Sequence, residues 1–193
     1  MPLPAAYFQL GFHHIVSPQA TDHLAFLLAL TAPFVAQDWR RLLALLTSFT
    51  LGHSFTLALA VLGVVAVPAA LVETLIPLTV IGTALVNLAR AGRLANGAGG
   101  PVLWAAPNAL ALGFGLIHGL GFSNYLRALL GGAARPVAEL LAFNLGVEAG
   151  QVLVVGVILL LATAVLRGLG AARRDWLLVA SGAALGAAVL LLG

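Results

Sequence analysis

The stretch that decides the fold covers residues 137–166 and reads VAELLAFNLGVEAGQVLVVGVILLLATAVL. Glu139 and Glu148 are its only charged residues. A helix needs about 20 apolar residues to cross the hydrocarbon core of a bilayer, and this stretch is longer than that. It therefore predicts a membrane-spanning helix in which Glu148 lies at membrane depth.

The rest of the chain has the same apolar character. Of its 193 residues, 62% are hydrophobic, nine are basic and six are acidic. So few charges cannot solvate the surface of a water-soluble globule, and we expect an all-α polytopic bundle in a lipid bilayer. The net charge is only +3 and the arginines form short separate clusters, which argues against nucleic-acid binding. Because the chain has no cysteine, any metal must bind through His, carboxylate, amide or backbone oxygen.

About six transmembrane helices are predicted within a single domain of residues 1–193. Ser17-Pro18 is typical of an N-cap followed by proline at the first helical position, so the first span should begin there. Residues 5–16 would then form an interfacial or re-entrant segment. Short connections should make neighbouring helices antiparallel. The predicted spans are 18–37, 41–67, 71–90, 102–126, 137–166 and 175–193.

The arginines predict the orientation of the bundle. Two lie on one side, Arg127 and Arg135, and seven lie on the other: Arg40, Arg41, Arg90, Arg93, Arg167, Arg173 and Arg174. The positive-inside rule places the larger group in the cytoplasm and both termini outside. The N-terminus has no basic residue and no clear cleavage site, which argues against a retained signal peptide; a leader removed before this numbering stays open.

Ionisable side chains inside apolar helices are costly and usually face the interior of a bundle. Asp22, His23 and Glu73 should lie near the outer ends of their spans, and His53 and Glu148 near the middle. At least two of His53, His118 and Glu148 are expected to face one polar cavity. Imidazole and carboxylate suit Ni²⁺, Co²⁺, Zn²⁺ or Cu²⁺ when sulfur is absent. The candidate metal ligands are His14, Asp22, His23, His53, Glu73, His118 and Glu148, and the supporting polar residues are Thr50, Asn144 and Gln151.

Structural roles are the alternative for several of these residues. Amide and hydroxyl groups commonly join membrane helices by hydrogen bonds, which would explain Thr50 and Asn87 without a ligand. An acid in the first turn of a helix, such as Asp22 or Glu73, is favoured by the helix dipole alone. The argument for a metal site therefore depends on the buried histidines and Glu148.

Several phrases resemble the HupE/UreJ family of bacterial membrane proteins. They occur in the family's order: GFHHI at 11–15, DHLAFLL at 22–28, FTLGHSFTL at 49–57, VE at 72–73, FGLIHGLGF at 114–122 and FNLGVEAGQ at 143–151. The resemblance implies nickel or cobalt uptake for hydrogenase and urease, maturation proteins of such enzymes as partners, and a place in the bacterial cytoplasmic membrane. It also implies that His14, Asp22 and His23 match the family's His…Asp-His run, although the spacing is longer here and the usual glycine is missing.

The leading hypothesis is a secondary permease for a transition-metal ion, with Ni²⁺ or Co²⁺ as substrate, and not an enzyme. Ions would be captured by Asp22 and His23 and passed to His53, His118 and Glu148. No nucleotide-binding motif is present, so the membrane potential, proton exchange or a partner would drive transport. Two alternatives stay open. One is an intramembrane metalloenzyme with Glu148 as general base, although H-E-x-x-H and G-x-S-x-G are absent. The other is a membrane metal-delivery or assembly factor that does not conduct ions.

Overall fold

The computed structural model describes residues 3–95, 107–130 and 136–193, and within these ranges the chain is helical with no strand. The predicted all-α class is confirmed. The helices are α1 (Leu3–Val16), α2 (Thr21–Thr31), α3 (Trp39–Val61), α4 (Ala69–Ala95), α5 (Pro107–Gly121), α6 (Ser123–Leu130), α7 (Val137–Thr163) and α8 (Arg173–Leu190), with a 3₁₀ turn at Ala36–Asp38 and a π-helical turn at Ala164–Gly168.

Three helical stretches in the described ranges are long and apolar enough to cross a membrane. They are Ala36–Val61, Ala69–Ala91 and Val137–Gly168. α5 and α6 pass the same test as a pair, but they are bent by 51° at Phe122. Length and composition therefore support three spans, or four if the bent pair is one span, and the predicted count of six is not confirmed.

The first predicted span, 18–37, is wrong. α2 has only 11 residues, which makes it about 17 Å long, and it begins at Thr21 instead of Pro18. The Ser17 N–H continues the turn of α1 by donating to the His13 carbonyl at 3.1 Å. At the other end, Pro33 has no N–H with which to continue α2. The prediction failed because Pro18 does not begin a helix; it follows the last turn of α1.

The ends of the other predicted spans differ less. α3 ends at Val61 instead of residue 67, because Gly63 adopts a left-handed φ of 73° that ends the helix. α4 continues to Ala95, five residues beyond its predicted end. Of predicted span 102–126, residues 102–106 lie outside the described part of the chain, and the remainder is broken into α5 and α6.

Residues 5–16, predicted as an interfacial or re-entrant segment, form most of α1, which packs lengthwise on α7. The two helices run parallel, with Gly11 against the backbone of Phe143 and Gly146 against the backbone of Phe8. A Cβ at either glycine would overlap a carbonyl oxygen of the other helix. Glycine on both helices therefore allows the backbones to touch, a common device in membrane bundles.

α3 and α5 make a second parallel contact of the same kind. Gly52 lies against the carbonyl of Leu112, Gly115 against that of Phe49, and Gly119 against that of His53. This contact fixes the height of α5 relative to α3. It therefore also fixes the height of His118 relative to His53.

One end of the bundle is rich in arginine. α4 and α8 are antiparallel, so that Ala91 near the end of α4 lies in one apolar cluster with Leu177 near the start of α8 and with Ala32 after α2. Arg173 Nη2 donates to the Pro33 carbonyl at 3.1 Å at the same place. We call this the arginine-rich end; it contains Arg40, Arg41, Arg90, Arg173 and Arg174.

α1 and α2 follow one another through the bundle as two half-helices. α1 ends near the middle of α7, where Ile15 lies against Gly150. α2 begins after the non-helical residues 17–20 and ends at the arginine-rich end. The chain is therefore interrupted in the middle of the bundle, where most helices are continuous.

Candidate metal centre

Four histidines from four helices meet at the interruption between α1 and α2. The ring centroid of His14 lies 4.6 Å from that of His23, and the His23 centroid lies 5.3 Å from that of His118. His53 completes the group, with its centroid 6.1 Å from His14 and 6.4 Å from His23. We call these four residues the histidine cluster.

The histidine cluster is buried and carries unused ring nitrogens. His23, His53 and His118 are 4%, 0% and 1% exposed, and His14 is half-buried. Within the described residues, no hydrogen-bond partner contacts Nε2 of His14, Nε2 of His23, either ring nitrogen of His53, or Nδ1 of His118. A buried polar atom without a partner costs about 1–3 kcal/mol. Packing alone leaves five such atoms without partners in one place, whereas a bound ligand would give them partners.

Asp22 lies behind His23 and fixes its tautomer. The Asp22 carboxylate oxygen Oδ1 accepts from Nδ1–H of His23 at 3.0 Å and from the His23 backbone N–H at 2.8 Å. With the proton on Nδ1, the lone pair of His23 lies on Nε2. A carboxylate behind an imidazole is the usual arrangement that orients a metal-binding histidine.

Thr79 of α4 has the corresponding effect on His118. The Thr79 hydroxyl donates to the Ile76 carbonyl at 2.7 Å, so it accepts from His118 Nε2–H at 3.2 Å. The lone pair of His118 is therefore on Nδ1, the nitrogen that has no partner in the described residues. His23 and His118 each present one basic nitrogen.

Aromatic rings enclose the cluster. Phe122 lies 4.2 Å from His14 between ring centroids, and Phe26 and Phe49 each lie 5.1 Å from His118. Rings on these sides exclude water and lower the local dielectric constant, which strengthens any bond between the cluster and a cation.

The histidines are close together but not yet in a coordinating geometry. Among the described residues, no three His or acidic side chains are placed to hold one metal ion together. Metal–nitrogen bonds of about 2.0–2.1 Å are needed. Coordination by three or more of these groups therefore requires their side chains to turn towards a common point.

The comparison with protein families identifies the group to which this chain belongs. A sequence model described as HupE / UreJ protein matches residues 2–192, nearly the whole chain. The chain belongs to the HupE/UreJ family. This family is linked to nickel or cobalt uptake or delivery. The chain matches no curated protein and no solved structure.

In this HupE/UreJ protein, two of the seven predicted ligands lie away from the cluster. Glu73 is exposed near the start of α4. Glu148 is half-buried on α7 and accepts a hydrogen bond from the Thr47 hydroxyl at 2.8 Å. Of the three residues expected to share a cavity, His53 and His118 belong to the cluster and Glu148 does not. The structure brings together His14, Asp22, His23, His53 and His118.

The supporting polar residues connect helices or their own turns. The Thr50 hydroxyl donates to Gln151 Oε1 at 3.1 Å, which joins α3 to α7 inside the bundle. Asn144 Nδ2 donates to the Leu140 carbonyl of its own helix at 2.8 Å. The supporting polar residues therefore make interhelical and local bonds in this arrangement.

The predicted depths also change. Asp22 and His23 were expected near the outer surface, but they adjoin His53, which lies well inside the 23-residue α3. α2 begins inside the bundle, so residues in its first turn are central. The expected line of sites from surface to centre is a compact cluster instead.

Sequence reasoning missed Thr79. A lone threonine in an apolar helix gives no signal of its own, because its hydroxyl can bond to its own helix. The signal available was periodicity: Thr79, Thr83 and Asn87 recur every four residues and therefore lie on one face of α4.

Proposed function

We propose that this protein is a secondary permease for a divalent transition-metal ion, Ni²⁺ or Co²⁺, and that the histidine cluster is its binding site inside the membrane. The carrying observation is the set of unpartnered ring nitrogens from four helices, buried beside a carboxylate-oriented His23. Family membership supports the choice of nickel or cobalt.

The donor set suits such an ion. Imidazole nitrogen is a ligand for Ni²⁺, Co²⁺, Cu²⁺ and Zn²⁺, whereas Mg²⁺ and Ca²⁺ prefer oxygen. His23 Nε2 and His118 Nδ1 would bind first, because each already presents its lone pair. His14 and His53 would complete the shell after turning, and the Asp22 carboxylate would offset part of the ion's charge.

The interrupted helix supports transport more than static storage. Discontinuous helices at the centre of a membrane are a recurrent device of transporters, and the negative end of a half-helix dipole attracts a cation. His14 lies in the last turn of α1, so this end of the helix faces the cluster. α1 packs on α7, while α2 packs mainly on α4 and α8 and less extensively on α7, so the two half-helices are held largely by different partners.

The direction of transport follows from the arginines. We place the arginine-rich end in the cytoplasm, both termini outside and the protein in the cytoplasmic membrane of a bacterium, by the positive-inside rule. The ion would enter from the end at which α1 begins and leave at the arginine-rich end.

Metal accumulation in sealed proteoliposomes tests the proposal. The full chain should accumulate Ni²⁺ or Co²⁺ under an inside-negative potential, and His23→Ala and His118→Ala should each lower the rate at least about tenfold. His13→Ala is the matched control, since His13 is exposed beside His14. Binding of metal without accumulation would replace the permease by a delivery factor, and metal-dependent turnover of a membrane substrate would replace it by an enzyme.

A further inference from the structure

Three helices carry matching layers of side chains between the histidine cluster and the arginine-rich end. In each, the histidine is followed one turn nearer that end by a phenylalanine, and another turn nearer by a leucine. One turn corresponds to about 5.4 Å, so the layers are stacked along the bundle. The sets are His23, Phe26 and Leu30 on α2; His53, Phe49 and Leu45 on α3; and His118, Phe114 and Leu110 on α5.

The phenylalanines close the cluster on this side. Phe26 and Phe49 are fully buried and stacked, with their ring centroids 4.9 Å apart. Phe114 lies edge-on to Phe26 at 5.8 Å. We call Phe26, Phe49 and Phe114 the aromatic layer. A layer of packed rings is a barrier to a hydrated ion, because it offers no oxygen or nitrogen to replace the lost water.

A cavity of about 20 Å³ lies beyond the aromatic layer. This volume is enough for about one water molecule. Phe114, Leu30, Leu45 and Leu110 form part of its wall, so the aromatic layer separates the cavity from the histidine cluster. The wall also includes Thr83 and Asn87 of α4.

The two polar atoms of the Asn87 side chain differ in their hydrogen bonding. Its side chain is 1% exposed, and Nδ2 donates to the Ala29 carbonyl of α2 at 2.7 Å. That bond fits the helix-packing role expected from the sequence. Oδ1 has no hydrogen-bond partner in the described residues, although the side chain lines the cavity. An amide oxygen is thus available there to a cation or its water.

α4 carries a buried hydroxyl, that of Thr83, at the height of the aromatic layer. Thr79, which contacts His118, is followed at intervals of four residues by Thr83 and Asn87. The buried Thr83 hydroxyl donates to the Thr79 carbonyl at 2.8 Å, so its oxygen lone pairs can still accept. Oxygen atoms therefore recur about every 6 Å past the aromatic rings.

We propose that the aromatic layer is the barrier of the ion pathway, that the Thr79–Thr83–Asn87 face of α4 leads the cation past it, and that Asn87 Oδ1 is a ligand of a second, weaker cation site. This inference rests on the proposed permease function and adds the part of the ion pathway between the histidine cluster and the arginine-rich end. Neutral oxygen ligands hold Ni²⁺ or Co²⁺ less tightly than imidazole. A weak inner site suits release, because conduction requires binding that the ion can leave.

Variants at Thr83 test the path in the same proteoliposomes. Thr83→Val keeps the shape of the side chain and removes its oxygen, and we expect Ni²⁺ influx to fall at least about tenfold while metal binding to the histidine cluster is unchanged. Thr83→Ser returns the hydroxyl and should recover most of the flux. Thr31→Val is the matched control: Thr31 is equally buried and bonds the Leu27 carbonyl of its own helix, but does not line the cavity.

Asn87→Asp tests the second site by a measurement of binding. A carboxylate in the cavity should hold a second Ni²⁺ per chain at equilibrium and slow its release, so that stoichiometry rises while flux falls. Wild-type flux in Thr83→Val together with unchanged stoichiometry in Asn87→Asp would overturn the inference and leave the permease intact. No metal accumulation by the wild-type chain would overturn both.

Discussion

At the scale of single residues, the hydrogen bond between Asp22 and His23 sets which nitrogen can bind a metal. Asp22→Asn keeps the shape of the side chain but removes the charge that holds the proton on Nδ1 of His23. Loss of such an outer partner typically costs about 10–100-fold in metal affinity, and we expect a decrease of that size for Ni²⁺ in equilibrium dialysis. Glu148→Gln makes the same chemical change away from the cluster and should stay within about twofold of wild type. An equal decrease in both variants would contradict this role for Asp22.

The pH dependence of binding follows from the same nitrogens. Protons and metal ions compete for an imidazole lone pair, so affinity falls as pH falls. We expect Ni²⁺ affinity to fall as the pH is lowered from neutrality, because protons then compete with the ion for the ring nitrogens. Titration of the detergent-solubilised chain with Ni²⁺ at several pH values measures this. Affinity that does not fall as the solution is acidified would point to neutral oxygen ligands in place of the histidines.

The sequence predicted the candidate site residues better than it predicted their positions in the bundle. His53 and His118 were identified because an imidazole in an apolar helix needs a reason to be there. Glu148 satisfied the same criterion, yet its neighbour is Thr47. Helical periodicity places a residue on one face of its helix but does not say which helix covers that face. The sequence therefore cannot distinguish a residue that belongs to a site shared by several helices from one that only bonds a neighbouring helix.

At the scale of helices, the close contact between α1 and α7 depends on glycine. In Gly146→Ala the new Cβ would overlap the Phe8 carbonyl, which must push the helices apart. Overpacking of this kind costs about 1–3 kcal/mol, so we expect a lower unfolding temperature in detergent and weaker metal binding through displacement of His14. Gly156→Ala is the control on the same helix, because a Cβ there meets nothing within 4 Å. Equal stability of the two variants would show that α1 is not held in this way.

The two half-helices, α1 and α2, could not be predicted from sequence patterns. Hydropathy counts apolar residues along the chain, and residues 18–37 contain enough of them for a span. The interruption at residues 17–20 is stable only because other helices surround it and α1 has a glycine surface on α7 to lie against. Both conditions are tertiary, so the pattern predicted one continuous helix.

At the scale of the whole molecule, the arginines predict which end faces the cytoplasm. Because the chain has no cysteine, single cysteines report this without background. Arg174→Cys lies at the arginine-rich end and should be protected from a membrane-impermeant thiol reagent in intact cells. Arg127→Cys, exposed on α6, should react. The reverse pattern would invert the topology and the proposed direction of transport.

The parallel contact of α1 with α7 also has a consequence for biosynthesis. α1 has 14 residues and α2 has 11, so each is shorter than the insertion machinery needs to recognise a span. The partner on which α1 packs begins at Val137, and translation at about 5–20 residues per second delivers it roughly 6–24 s after α1 has left the ribosome. The amino-terminal helix must therefore wait, outside the hydrocarbon core or shielded by a chaperone, until α7 has been inserted. The candidate metal centre, which includes His14 beside His23, is therefore among the last parts of the protein to be assembled.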